Sequence, residues 1–326
     1  MKKLLLATTL LAGSAGFAAA EVTVSGDARM GVLDSWGDSD LSFSSRARVA
    51  FSMSGETDGG LAFGAALRAD NSEGASGGQA GAVFISGAFG KLSMGDVDGA
   101  ALMATGQVSG VGYTGLGDTN EIIYIGAGGF DDTTDATQQY TITGDPTALY
   151  EYSTGALSFY LSASEPGHSV VTPVSGDTVE GQAYAAGAKY SAGAYTVGIG
   201  FEQLSVDTNG VSDGDVQHIT LGGSATFGAV TLKGIYADVG GDLFGIDLGG
   251  EQYALSADYT MDALTATAFY RKSDLNGDTT GIDIESWGLG ASYDLGGGAT
   301  VAGGYANTSI NDIDDDAYDI GVKFSF

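Results

Sequence analysis

Tyr318-Asp319-Ile320-Gly321-Val322-Lys323-Phe324-Ser325-Phe326 alternates without a break. Tyr318, Ile320, Val322, Phe324 and Phe326 fall on one face; Asp319, Gly321, Lys323 and Ser325 fall on the other. A period of two marks a strand whose faces meet different surroundings. The other end of the chain repeats the pattern, with Val22, Val24, Ala28, Met30 and Val32 opposed to Thr23, Ser25, Asp27 and Arg29. Working inward from these ends, sixteen segments of this kind can be placed, from 22–33 to 316–326, the shortest at 91–96.

The links between them alternate in length. Gly90, Gly193, Gly228 and Met261-Asp262 close some pairs tightly, whereas 34–40, 71–78, 166–179, 205–213, 239–249, 273–281 and 309–315 are longer and polar. Short turns at one end and long loops at the other are the pattern of a bacterial outer-membrane barrel. Hydrocarbon offers no hydrogen bonds, so a spanning sheet must close on itself, and an even strand count returns 317–326 beside 22–33. Phe89, Tyr190, Tyr195, Phe227, Tyr259, Tyr293 and Phe326 gather near the short turns as an interfacial girdle. The expected fold is therefore an all-β, transmembrane antiparallel β-barrel of sixteen strands. A soluble sandwich shows similar alternation but does not explain the one-sided loop lengths.

Composition sets further bounds. The chain has 326 residues, 55 Gly, 3 Pro, no Cys and a formal charge of −29. Met1-Lys2-Lys3, an apolar run and Ala18-Ala19-Ala20 read as a signal peptide over 1–20, with one barrel domain over 21–326. Removing Lys2 and Lys3 takes the charge to −31, which rules out a surface that neutralises nucleic-acid phosphates. No cysteine means that burial and hydrogen bonding alone hold the fold.

Residues 97–146 are too long for a turn and carry apolar clusters, Ala100-Ala101-Leu102-Met103 among them, so the segment is expected to fold into the bore. By strand parity, every basic residue after residue 20 except Lys272 points inward. Arg29, Arg46, Arg48 and Arg68 fall on the first three strands, and Lys323 on the strand that closes against the first. These five make a basic wall, read either as scaffolding paired to acids such as Asp27 and Asp70 or as an electrostatic filter. Opposing charge is expected from Asp96, Asp98, Asp118 and Glu121, with Asp131, Asp132, Asp135 and Asp145 further along. Asp312, Asp314 and Asp316, beside Asp315, could hold Ca2+, although the spacing is not that of an EF-hand loop.

Two enzyme-like strings lack their context. Gly74-Ala75-Ser76-Gly77-Gly78 matches GxSxG without a following helix, and Gly110-Val111-Gly112-Tyr113-Thr114-Gly115 matches GxGxxG without a strand–helix unit. The two histidines, His168 and His218, nominate no nucleophile–base pair. The chain is read as a non-enzyme with no required cofactor.

Val24-Ser25-Gly26-Asp27-Ala28-Arg29-Met30-Gly31-Val32, Phe43-Ser44-Ser45-Arg46-Ala47-Arg48 and Gly321-Val322-Lys323-Phe324-Ser325-Phe326 resemble the sixteen-stranded general porins of alphaproteobacteria. Val83-Phe84-Ile85-Ser86-Gly87-Ala88-Phe89-Gly90-Lys91 and the run Asn120-Glu121-Ile122-Ile123-Tyr124-Ile125 are similar too. The resemblance implies a homotrimer in the outer membrane of a Gram-negative bacterium, in contact with lipid and lipopolysaccharide. Each barrel would pass small hydrophilic solutes passively, narrowed by its inward third loop with wall arginines facing loop acids, and bound calcium occurs in such proteins. Residues 100–109 depart from the family by lacking acids. A substrate-selective channel, or a closed structural barrel with the loop as plug, stays open as an alternative.

Overall fold

The computed structural model describes residues 20–34, 36, 41–70, 79–125, 147–164, 170–171, 178–277 and 281–326. The signal segment up to residue 19, the string at 74–78, His168, and Asp131, Asp132, Asp135 and Asp145 within 126–146 lie outside the described residues.

Sixteen strands close into one antiparallel barrel. They are β1 Glu21–Asp34, β2 Ser42–Glu56, β3 Ala62–Asp70, β4 Gln79–Gly87, β5 Gly90–Gly95, β6 Thr147–Thr154, β7 Leu157–Ser164 and β8 Thr178–Ala192. There follow β9 Tyr195–Thr208, β10 Val211–Phe227, β11 Val230–Leu243, β12 Ile246–Met261, β13 Leu264–Gly277, β14 Ile282–Gly296, β15 Ala299–Ile310 and β16 Ile313–Ser325. A further two-residue strand, Val170–Val171, pairs beside β8. Each barrel strand pairs with its sequence neighbours, and β16 closes on β1 in the register Asp27↔Ser325 to Asp34↔Tyr318. Phe326 N donates to Gly26 O across that seam at 2.9 Å, so no open edge remains there.

Burial is inverted relative to a water-soluble sheet protein. Val24, Phe43, Ile199, Leu221 and Leu255 stand exposed on the outside, while Glu202, His218, Gln252 and Asp319 are buried inside. Hydrocarbon outside and a polar bore inside account for both observations. The aromatic girdle at the short turns is present, Tyr195 and Phe227 meeting edge to face at 5.8 Å. A second girdle lies higher on the same face. There Tyr236 pairs with Tyr253, Tyr270 with Trp287, and Tyr305 with Tyr318 across neighbouring strands. Tyr253 and Tyr259 are six residues apart, about 20 Å along the strand, so the two rows bracket the lipid-facing belt.

The links at 205–213, 239–249 and 309–315, read from sequence as long loops, are instead two-residue turns at the tips of extended hairpins. Asn209-Gly210, Phe244-Gly245 and Asn311-Asp312 all have positive φ, the requirement of the turn that matches strand twist. Above the membrane both faces of these hairpins meet water, so the alternation that reveals a strand disappears while the strand continues.

Candidate functional site

After β5 the chain enters the bore. The first piece is helix α1, Ala100–Thr105, which packs against β7, β8, β9 and β10. Six residues cannot sustain a helix alone; the seat does. Ala100 N donates to Ser162 Oγ (2.9 Å) and Lys189 Nζ donates to Met103 O (3.0 Å). The helix rests on bare backbone: a Cβ added at Gly198 would lie 2.0 Å from Ala104 O, and one at Gly222 would lie 2.6 Å from Thr105 O. Only glycine admits this approach at both positions.

The loop then follows the inner wall. Ser109 N donates to Ser256 Oγ (3.0 Å) and Ser109 Oγ to Asp258 Oδ2 (2.7 Å), both on β12. At the far end Tyr113 N donates to Asp319 Oδ1 (3.1 Å). Thr114 N (2.8 Å) and Thr114 Oγ1 (2.6 Å) donate to the second oxygen, Oδ2. Arg29 on β1 donates to Thr114 O at 3.0 Å. The chain turns through a short 3-10 helix, Leu116–Asp118, and comes back along the wall. Gln252 on β12 pairs with both backbone groups of Ile123 (2.9 and 3.0 Å), and Ile125 N donates to Glu202 Oε2 on β9 (2.9 Å). Gln107 Nε2 and Oε1 pair with Ile122 O and N, and Tyr124 donates to Gly106 O, tying the outgoing arm to the returning one.

The five basic residues named from sequence lie on β1, β2, β3 and β16. Arg29 sits directly opposite Arg46 on one side and Lys323 on the other, with Arg48 and Arg68 further along β2 and β3. Like charges placed opposite one another cost stability in a sheet. Arg46 pairs with Asp27 at 3.1 Å. Arg29, Arg46, Lys323 and Asp27 line a cavity of about 260 Å³. The loop's anchors run from β7 round to β16 and β1, and Arg46, Arg48 and Arg68 stand beyond that track on β2 and β3.

Asp96, Asp98, Asp118 and Glu121 are exposed and influence one another. Desolvation in the bore, then repulsion from Asp96, pushes the Asp98 carboxyl up. Desolvation also pushes Glu121 up, with Asp118 and Asp98 adding to it and Arg271 on β13 opposing. Arg271 itself is buried, and parity placed it inward without marking it as a partner of Glu121. Sequence reasoning also missed the buried group Glu202, His218, Gln252 and Ser273. Inward parity was visible for each, but bringing them together needs the register across β9, β10, β12 and β13. Asp312, Asp314 and Asp316 cap the β15–β16 hairpin, and Asp316 Oδ1 accepts from Tyr305 (2.6 Å) and Asn307 (2.8 Å). Among the described residues no three His, Cys, Asp or Glu side chains form a metal-holding group.

A family model described as Gram-negative porin matches residues 7–313. A porin of Rhodobacter capsulatus is 41% identical over 325 residues, covering 94% of this chain and all of that protein. A porin structure refined at 1.8 Å resolution superposes with a TM-score of 0.73 at 36% identity, covering 94% of this chain and 100% of that one. A variant of Rh. blastica porin superposes with a TM-score of 0.67 at 23% identity and the same coverage, a likeness of fold.

Proposed function

Since the chain belongs to the Gram-negative porin family, we propose that it is a general diffusion channel whose narrowest passage lies between the inward loop and the basic wall. The family is one of outer-membrane channels rather than enzymes. Solutes small enough for the gap would pass down their gradients, with Arg29, Arg46, Arg48, Arg68 and Lys323 on one side. Asp96, Asp98, Asp118 and Glu121 would face them from the loop. Opposed charges set a transverse field that orients water and dipolar solutes and tunes ion preference. One observation carries this reading: the like-charged row Arg46–Arg29–Lys323, costly to the sheet, borders a cavity instead of a filled core.

A signal peptide at 1–20, a trimeric assembly and contact with outer-membrane lipid and lipopolysaccharide belong to the same reading. Planar-bilayer recording tests the channel. Large conductance steps that do not saturate with solute are expected; absence of steps would remove the reading, and saturation would favour a solute-selective channel. Reversing both Arg46→Glu and Arg48→Glu should move the reversal potential toward cation preference, and an unmoved potential would remove the filter.

A further inference from the structure

The returning arm of the loop ends on a buried group whose hydrogen bonds admit one assignment. Gln252 Oε1 accepts from Ile123 N (2.9 Å) and Ser273 Oγ (3.0 Å), while its Nε2 donates to Ile123 O (3.0 Å). That two-point pairing with backbone fixes which end of the amide faces His218: the NH2 end, with Nε2 to Nε2 at 3.4 Å. His218 Nε2 therefore acts as acceptor, and the ring proton sits on Nδ1, donating to Glu202 Oε2 at 2.8 Å. Glu202 Oε2 also accepts from Ile125 N. Tyr124, between the two anchored residues, packs edge-on against the imidazole at 5.7 Å. Glu202 and His218 are fully buried.

We propose that Glu202, His218 and Gln252 form a proton-readable latch that positions the Ile122–Ile125 arm. The reading rests on that arm bordering the narrow passage. A proton taken up on His218 Nε2 would set two donors against each other. Turning the Gln252 amide over resolves that conflict, because Oε1 then accepts from the imidazolium. The same turn presents NH2 to Ile123 N–H and oxygen to Ile123 C=O, so both bonds to the loop are lost. The groups facing His218 are Glu202 on β9 and Gln252 on β12, with Ala237 and Val239 of β11 on the same face. Ser273 and Arg271 lie on β13, and Tyr124 and Glu121 on the loop. Acidification thus loosens the arm without touching the basic wall or Asp319.

The test uses the full chain in lipid vesicles with His168→Gln, which leaves His218 as the only histidine. Nitrogen-15 histidine NMR and amide exchange are followed from about pH 8 to about pH 5, the range in which histidine changes charge. The neutral tautomer protonated on Nδ1 is expected at the alkaline end. As Nε2 gains its proton, exchange at Ile123, corrected for its intrinsic pH dependence, should rise roughly 5- to 150-fold, the equivalent of two lost hydrogen bonds. His218→Gln keeps a donor for Glu202 and an acceptor for Gln252, and should flatten that profile. Exchange at Ile123 that stays level while His218 titrates overturns the latch, as does an imidazole already protonated on Nε2 at the alkaline end or one that does not titrate in the window. The wild-type ring reports even if the variant misfolds. Ion selectivity of the Arg46 and Arg48 reversals reads the passage separately, so failure of one reading is distinguishable from failure of the other.

Discussion

Asp319→Ala removes the far anchor of the loop. In the intact protein that carboxylate accepts from Tyr113 N, Thr114 N and Thr114 Oγ1. Tyr113 is buried, so the lost acceptors leave groups with little access to water. At about 1–3 kcal/mol for each buried group left unsatisfied, the gross cost exceeds about 3 kcal/mol. Water entering the polar bore recovers part of it, and a net cost of about 3 kcal/mol corresponds to roughly 150-fold in the attached-to-detached ratio. Arg29 then loses part of its hold as well, because its partner is Thr114 O. The strand ladders around Asp319 remain, so the barrel should keep its thermal stability while the loop tip comes loose. Planar-bilayer recording should show a noisier open state with added sub-conductance levels, and amide exchange at Tyr113 and Thr114 should speed up. Asp319→Asn should fall between, since one amide end still accepts. Wild-type noise and unchanged exchange in Asp319→Ala would refute the anchoring argument.

Gly198→Val places a branched side chain where even a Cβ meets Ala104 O at 2.0 Å, so α1 must leave its seat. The expected cost is about 1–3 kcal/mol of overpacking, read as altered conductance with the barrel still resistant to detergent. Asp98 and Glu121 are both pushed up by desolvation and neighbouring acids, so they take protons while ordinary carboxylates are still charged. Selectivity should therefore shift toward anions as pH falls, beginning above the usual carboxylate range. The same sign makes these two groups' contribution to stability grow as pH drops through their folded pKa, since the folded state binds the protons more tightly. Asp98→Asn with Glu121→Gln should flatten that part of the reversal-potential profile. Phe244 holds φ +55 at the β11–β12 turn, so Phe244→Asn should raise the thermal midpoint, relieving about 1 kcal/mol of backbone strain.

What the sequence made legible follows from where two environments meet on opposite faces of one strand. Between lipid and water, alternation reveals the strand, its direction and the inward set, so Arg29, Arg46, Arg48 and Lys323 could be placed on one wall before any coordinates. Above the membrane that contrast vanishes, and the hairpin tips at Asn209-Gly210 and Phe244-Gly245 read as loops. The path of residues 97–125 was legible only as a length and an inward direction. Its seat is written in absences, glycines such as Gly198 and Gly222, which carry no hydrophobic signal of their own. The Glu202–His218–Gln252 group was hidden for a different reason. Its members lie 16 and 34 residues apart and meet only through strand register.

The two jobs of the inner wall are divided between different strands. The loop is moored mainly along β7 to β16, and of the five wall cations Arg29, Arg46, Arg48 and Arg68 stand on β1 to β3, with Lys323 on β16. That division makes part of the wall's charge replaceable: Arg46, which pairs with Asp27 on the next strand, can be exchanged for a neutral side chain without unseating the helix or the returning arm. Arg29 is the exception, since it belongs to the charged row and also grips Thr114 O. An engineer tuning such a barrel for a chosen ion would leave Arg29 in place and rewrite its neighbours.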